Sequence, residues 1–162
     1  MNKMLLSCLL YFMSTAALSE PDFFTLQSNN FRSLLPITGS CEIDETTEQI
    51  FDISGSRMCS QNLKGKIGEF EIHATPNKIL DIKILQRTPV DNDGITFTPK
   101  GKLISDVQTV NILPSYWHQI NSGASGIVEI KLAGQLYITK SLVAGSPYNL
   151  IMLNGIEFSE RD

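Results

Sequence analysis

Alternation of apolar and polar residues at a period of two constrains the fold most strongly. Residues 68–74 (Gly-Glu-Phe-Glu-Ile-His-Ala) alternate in this way, and so do residues 79–85 (Ile-Leu-Asp-Ile-Lys-Ile-Leu). Such a pattern is typical of a β-strand with one buried face. Residues 75–78 (Thr-Pro-Asn-Lys) form a turn signal between the two segments. The pattern therefore predicts two strands joined as one hairpin, with Asp81 and Lys83 facing outward.

Short apolar segments separated by turn signals continue along the chain. The other strand candidates are residues 31–43 with a bend at Pro36 and Gly39, and residues 49–53, 95–98, 107–113, 127–132, 135–138 and 148–158. Residues 99–102 (Pro-Lys-Gly-Lys) predict a turn, and residues 116–118 (Tyr-Trp-His) a less regular stretch. Glycine and proline are spread along the whole chain, and no window has a helical period. We therefore predict an all-β fold, a single antiparallel β-sandwich.

Residues 1–19 have the three parts of a secretory signal peptide. Lys3 is followed by a short apolar run and then by small residues at Ala17 and Ser19. The run is too short to remain as a membrane span. Cleavage after Ser19 is the preferred site, with cleavage after Ala17 as the alternative. The sequence predicts export to the periplasm or cell surface, with no stable membrane anchor once the signal peptide is removed.

Removal of the signal peptide changes the cysteine inventory. Cys8 leaves with it, and Cys41 and Cys59 remain in an exported protein. Two thiols in an oxidising compartment most simply form one disulfide, which here would contribute roughly 3 kcal/mol. Two free buried thiols are the alternative. Two cysteines without a paired histidine are too few for structural zinc, so we predict no metal and no cofactor.

The chain of 162 residues accommodates one domain after signal cleavage. Residues 20–30 are polar with a Phe23-Phe24 pair and predict an extended leader or first edge strand, and residues 31–162 predict the β-sandwich domain. The formal net charge of −4 becomes slightly more negative when Lys3 is lost. Because no basic stripe is present, nucleic acid and anionic membrane surfaces are not expected as partners.

The second half of the chain contains an ordered series of motifs. Residues 68–84 begin Gly-Glu-Phe-Glu-Ile-His-Ala-Thr-Pro, residues 122–138 include Leu-Ala-Gly-Gln-Leu-Tyr-Ile, and residues 144–158 begin Ala-Gly-Ser-Pro-Tyr. The series resembles a large family of functionally uncharacterised secreted bacterial β-sandwich domains that look like immunoglobulin-type or fimbrial-subunit-type domains. The resemblance covers about residues 68–158 and implies an Ig-like or pilin-like sandwich. Its motifs are structural, so they indicate the fold more strongly than the function.

This chain departs from the family pattern in several places. Ala133-Gly134 stands where a glycine pair is usual, Pro147 precedes the tyrosine of the last motif, and Leu150 replaces the glycine usual two residues after that tyrosine. The Cys41–Cys59 pair is not a mark of the family, and its spacing is narrower than in chaperone–usher pilins. These departures weaken any transfer of function from the resemblance.

The two histidines and their aromatic neighbours are the first candidates for a functional site. His73 faces outward by alternation, so a solvated strand residue is the preferred interpretation over a ligand or base. His118 follows Tyr116 and Trp117, and with Tyr148 these residues form a candidate ligand surface, since aromatic faces suit sugar rings. Packing in the core or a loop is the commoner role of tryptophan in a sandwich.

Other chemical motifs are weak. Residues 91–94 (Asp-Asn-Asp-Gly) suggest a calcium loop, but the motif requires acidic residues where Pro89 and Lys100 stand. A turn is preferred there, and a weak surface ion site is the alternative. Ser125 lacks the Gly-x-Ser-x-Gly elbow, and no histidine follows it. The acidic run predicts a solvated loop and consists of Glu42, Asp44, Glu45 and Glu48. We therefore predict no catalytic residues.

These patterns predict a secreted, non-catalytic β-sandwich protein with two candidate functions. The first is a fimbrial-like structural or adhesive component that associates through its edge strands, with the segment around residues 23–26 as a strand donated to a neighbour. The alternative is a periplasmic or extracellular binding module of the carbohydrate type, using Tyr116, Trp117 and Tyr148.

Overall fold

A computed structural model describes residues 20–31, 34–59, 64–87, 94–142 and 155–161. Within these ranges the chain forms ten β-strands and no helix: β1 Asp22–Gln27, β2 Gly39–Ile43, β3 Ile50–Asp52, β4 Gly68–His73, β5 Ile79–Ile84, β6 Ile95–Ile104, β7 Thr109–Ile112, β8 Trp117–Asn121, β9 Ile127–Ile138 and β10 Ile156–Glu160. All strand pairs are antiparallel, and they form two sheets. The predicted all-β antiparallel sandwich is confirmed, while the predicted signal peptide lies outside the described residues.

Strand β9 organises the larger, seven-stranded sheet. Its residues 127–132 pair with β4, and its residues 134–138 pair with β2. Residues 129–138 also pair with β6, so β6 must lie along the opposite edge of β9 from β4 and β2. Strands β1, β3 and β7 extend the sheet beyond β4, β2 and β6. The two predicted strands at residues 127–132 and 135–138 are thus one continuous strand.

The three-stranded sheet, in the order β10–β5–β8, packs against the inner face of the larger sheet. The main core cluster draws alternating residues from both sheets and includes Phe70, Ile72, Leu80, Ile82, Ile84, Phe97, Leu103, Ile120, Val128, Ile130 and Leu132. A second cluster surrounds Cys41 and Cys59. Phe31, Leu34 and Leu142 pack against both clusters, so the two join into one core.

The predicted hairpin between residues 68–74 and 79–85 is wrong. Both segments are strands, but β4 belongs to the larger sheet and β5 to the smaller one. β4 has β1 on one edge and β9 on the other, while β5 lies between β10 and β8. Because neither strand has a free edge for the other, the turn at residues 74–78 carries the chain from one sheet to the other.

The predicted turn at residues 99–102 is also wrong, because β6 continues through it as one strand of ten residues. Pro99 lies opposite Gly134 of β9, and the ladder between β6 and β7 begins only at Gly101. Proline is tolerated at such a position, where one side of the strand has no ladder to complete. Gly134 has a φ of 143°, and a Cβ atom there would collide with the carbonyl oxygen of Thr98.

Candidate functional site

The edge strand β1 is poorly enclosed by the rest of the sandwich. Among the described residues, β4 is the only strand that pairs with it. Four of its six residues are exposed, including Phe24 at 43% and Leu26 at 59%. The strand contains no lysine or proline, residues that often block the pairing of an exposed edge with another chain. Within the described residues, β1 therefore combines a backbone edge that has no second ladder with exposed apolar side chains.

Phe23 is the main side-chain attachment of β1 to the core. Its ring stacks between Phe70 of the larger sheet and Phe158 of the smaller sheet, with centroid distances of 5.7 and 5.9 Å. The side-chain amides of Gln27 and Asn29 each donate a hydrogen bond to a main-chain carbonyl, at 2.9 and 2.6 Å. Among the described residues, the ladder to β4, the Phe23 ring and these two amides hold the strand, together with the Phe24–His73 ring contact. A backbone bridge between Asn30 and Lys66 fixes the segment just after it.

The ladder between β1 and β4 is regular only over part of its length. Residues 22–25 pair in register with residues 70–73, and the register shifts before Gln27, which lies opposite Glu69. Leu26 is the extra residue of this β-bulge. A bulge limits regular pairing, so any further strand added at this edge would pair mainly along residues 22–25.

His73 lies outward and exposed at the end of β4, as the alternation predicts. Its Nε2 atom is 2.9 Å from Glu71 Oε2, and its ring centroid is 4.5 Å from that of Phe24. The imidazole therefore belongs to a small cross-strand group that joins β1 to β4.

The predicted disulfide between Cys41 and Cys59 is present, with the two Cα atoms 6.1 Å apart. Both cysteines are buried and pack with Ile43, Ile50 and Met58 in the second core cluster. The bond ties the segment after β3 back to β2. By the chain-entropy relation, a loop of this size is worth roughly 3 kcal/mol.

The sequence predicts a solvated loop for the acidic run between residues 42 and 48. In the structure, several of these carboxylates instead form specific hydrogen bonds and ion pairs. Hydrogen bonds from Thr47, and then from the backbone of Thr46, lower the pKa of Asp44, whose Oδ1 accepts the two N–H groups at 2.7 and 3.0 Å. Glu45 lies 2.7 Å from Lys102 Nζ. These carboxylates shape and anchor the turn between β2 and β3.

Glu42 lies at the centre of a polar network on the outer face of the larger sheet. Lys100 Nζ donates to its Oε1 at 2.9 Å, and Gln135 Nε2 donates to its Oε2 at 2.7 Å. Burial acts to raise the pKa of Glu42, but the hydrogen bonds from Lys100 and Gln135 outweigh it and hold the pKa below its ordinary value. Tyr137 in turn donates a hydrogen bond to Gln135.

An open groove of about 510 Å³ lies beside this network. Its walls come from Glu45, the β6 segment 98–101, residues 111–114 and Gln135. Its two charged lining residues are already paired, Lys100 with Glu42 and Glu45 with Lys102.

The structure does not place all residues of the predicted ligand surface on the surface of the protein. Tyr116 and Trp117 are 67% and 54% exposed, but His118 is only 8% exposed. Strand β8 begins at Trp117, so its alternation turns His118 inward, where the ring nitrogen Nε2 accepts a hydrogen bond from the Leu113 N–H at 2.9 Å. Placing His118 on the surface is thus wrong, and Tyr148 lies outside the described residues.

Trp117 lies on the outer face of the smaller sheet beside an ion pair. Lys83 is its direct neighbour on β5, with Nζ 5.5 Å from the centroid of the indole ring. The same Nζ is 3.3 Å from Glu157 Oε2 on β10. Alternation predicts the outward position of Lys83, but it does not predict which residues of β8 and β10 lie next to it.

A second polar row lies two residues farther along the same face. Gln119 is opposite Asp81, and Asp81 Oδ2 accepts a hydrogen bond from Arg161 Nε at 2.6 Å. With its amide oxygen turned toward Arg161, Gln119 accepts two further hydrogen bonds, of 3.0 and 2.6 Å. The sequence does not indicate that Arg161 belongs to this row, because it lies 80 positions from Asp81 along the chain.

The structure does not place Ser125 or the calcium-like motif in a common site with other candidate residues. Ser125 has a turn role: its N–H donates to Asp106 Oδ2, and its Oγ accepts from the Ile127 N–H, both at 3.1 Å. Residues 91–93 of the calcium-like motif lie outside the described residues. In the part of the chain that the structure describes, no three His, Cys, Asp or Glu side chains gather as metal ligands would.

The structure defines the class of protein as an all-β sandwich of two antiparallel sheets with one disulfide in the second core cluster. Comparison with protein-family models, curated proteins and solved structures found no match. Across the described ranges, no helix is long and apolar enough to cross a membrane.

Proposed function

We propose that this chain is a secreted, non-catalytic protein of the bacterial periplasm or cell surface that acts as a fimbrial-like structural or adhesive component. The signal-peptide pattern of residues 1–19 and the disulfide support export, and the resemblance of residues 68–158 supports the comparison with fimbrial subunits. The proposal rests mainly on β1, an edge strand that pairs with β4 among the described residues and has exposed apolar side chains.

Strand exchange is the mechanism that this attachment favours. Apart from Phe158, the principal contacts of β1 are with β4, namely the ladder and the stacking of Phe23 on Phe70. The β1 strand of a second copy could make the same contacts in place of the chain's own strand. Exchange of identical contacts has little enthalpic cost, because the strand of the second copy replaces the chain's own strand contact for contact.

The test compares the exported protein with a variant that lacks residues 20–30. We expect the exported protein to self-associate in light scattering after size-exclusion chromatography, and the deletion to abolish association and lower stability. A synthetic peptide of residues 20–30 should bind the deletion variant and restore its stability. The matched control is the same peptide with Phe23→Ala, which keeps the backbone ladder but loses the stacked ring and should bind much more weakly.

Two results together would contradict this mechanism. One is an exported protein that stays monomeric at every concentration. The other is a deletion that leaves its stability and self-association unchanged.

A further inference from the structure

We propose that the outer face of the three-stranded sheet binds a neutral glycan, with Trp117 as the stacking platform. This surface lies on the other sheet from β1, so the proposal goes beyond strand exchange and does not depend on it. We name the surface the Trp117 face and define it by Trp117, Lys83, Glu157, Gln119 and the Asp81–Arg161 pair.

The platform itself is an exposed indole on a regular strand. Trp117 is 54% exposed at the start of β8, and Tyr116 beside it is 67% exposed. A single exposed aromatic residue is ordinary on a protein surface and would not carry the proposal alone. An indole amid polar side chains nevertheless offers an apolar face against which the C–H face of a sugar ring can pack.

The polar neighbours of the indole supply both kinds of hydrogen-bonding group. Lys83 provides donors and Glu157 provides acceptors. The Gln119 amide NH2 group provides further donors, because its oxygen is already bonded to Arg161. Neighbouring strands lie about 4.8 Å apart, and side chains on one face repeat about every 6.8 Å along a strand. A sugar ring lying on Trp117 would therefore have these groups close to its hydroxyls, each of which both donates and accepts.

The charge balance of the face favours a neutral glycan over an acidic one. Lys83 is paired with Glu157 at 3.3 Å, and Arg161 is paired with Asp81 at 2.6 Å. The two cations are thus matched by two carboxylates, so these pairs leave no excess positive charge to attract an anionic sugar. The pairs also hold the long side chains in place, so less side-chain freedom would be lost on binding.

Tryptophan fluorescence tests the proposal directly because Trp117 is the only tryptophan in the chain. The exported protein is titrated with neutral tetrasaccharides of cellulose, starch, chitin and mannan type, and calorimetry repeats each titration. We expect at least one of these sugars to give a saturable shift or quenching of the emission. Acidic oligogalacturonate should bind more weakly than that sugar.

Variants separate the site from the rest of the protein. By calorimetry, Trp117→Ala should abolish binding, Trp117→Phe should retain weakened binding, and Gln119→Ala should weaken binding about 5–10-fold. Tyr137→Ala is the matched control, because Tyr137 is an exposed aromatic residue on the larger sheet. It should leave the affinity unchanged. If Trp117→Ala does not fold, the Trp117→Phe and Gln119→Ala variants decide the question.

Three outcomes would overturn the proposal. The first is the absence of saturable binding by every neutral tetrasaccharide, and the second is binding that survives in Trp117→Ala or Gln119→Ala at full affinity. The third is a preference for oligogalacturonate that disappears with salt, which would assign the face to anions. A change in Trp117 emission with protein concentration and not with sugar would assign it to a contact between copies and would count as the first outcome.

Discussion

At the scale of single residues, Glu42 shows how one half-buried carboxylate can join three strands. It extends from β2 and receives hydrogen bonds from Lys100 on β6 and Gln135 on β9. Since hydrogen bonds to a charged group are stronger than neutral ones, the ionised form of Glu42 is favoured in the folded protein. The lowered pKa of Glu42 expresses that preference.

The lowered pKa of Glu42 predicts how the stability of the protein depends on pH. Because the folded pKa of Glu42 lies below its ordinary value of 4.5, its contribution is present above pH 4.5 and is lost as the pH falls through the folded pKa. We expect Glu42→Gln to cost about 1 kcal/mol at pH 7, allowing for the exposed Lys100 partner. Denaturant unfolding at a series of pH values should show the difference between wild type and variant shrinking in acid.

The control for Glu42 is Glu129→Gln, which removes an exposed carboxylate from β9 on the same sheet. It should change the stability by less than about 0.5 kcal/mol at pH 7. A Glu42→Gln variant whose deficit stays constant from pH 7 to pH 3 would contradict the assigned role of the ionised carboxylate.

At the scale of elements, the connection from β4 to β5 depends on a buried hydroxyl. Ser122 is fully buried, its Oγ donates to the Thr75 carbonyl at 2.7 Å, and the Lys78 N–H donates to it at 3.1 Å. We expect Ser122→Ala to destabilise the protein by about 1–3 kcal/mol because it leaves these two backbone groups without that partner. Thermal and denaturant unfolding measure the effect.

Ser159→Ala serves as the comparison for Ser122→Ala, since Ser159 is exposed on β10. It should fall within about 0.5 kcal/mol of wild type. Equal effects of the two substitutions would show that the hydroxyl of Ser122 does not hold the connection between the sheets.

Alternation predicts which face of an individual strand is buried, but it does not predict which strands pair with one another. The periodicity of residues 68–74 correctly indicated that Phe70 and Ile72 are buried, yet it carries no information on which strand lies alongside. The turn after β4 resembles a hairpin turn locally, and only the occupation of both edges of β4 by distant strands excludes the hairpin. Topology of this kind depends on contacts far apart in sequence.

The same limit applies to the candidate sites. The Cys41–Cys59 bond follows from the cysteine count. The burial of His118, by contrast, depends on β8 beginning at Trp117, and a one-residue shift in register would have reversed it. The Trp117 face combines residues from β5, β8 and β10, so alternation in one segment identifies only part of it.

At the scale of the whole molecule, attachment decreases from β9 outward to β1. β9 is paired along both edges over residues 129–132 and 134–138 and contributes buried residues to both core clusters. In the described part of the chain, β1 has one ladder, to β4, and its Phe23 ring is partly buried against the main core cluster. Local opening should therefore require much less free energy at β1 than at β9.

Hydrogen exchange measured by mass spectrometry tests this gradient. We expect peptides that cover residues 22–27 to exchange well before global unfolding, and peptides that cover residues 128–136 to exchange only through it. Strand β10 is the internal comparison, because it also has one described strand partner but buries Ile156 in the main core cluster. It should exchange at an intermediate rate. Protection of β1 equal to that of β9 would mean that β1 cannot be released separately, and strand exchange would then require unfolding of the whole sandwich.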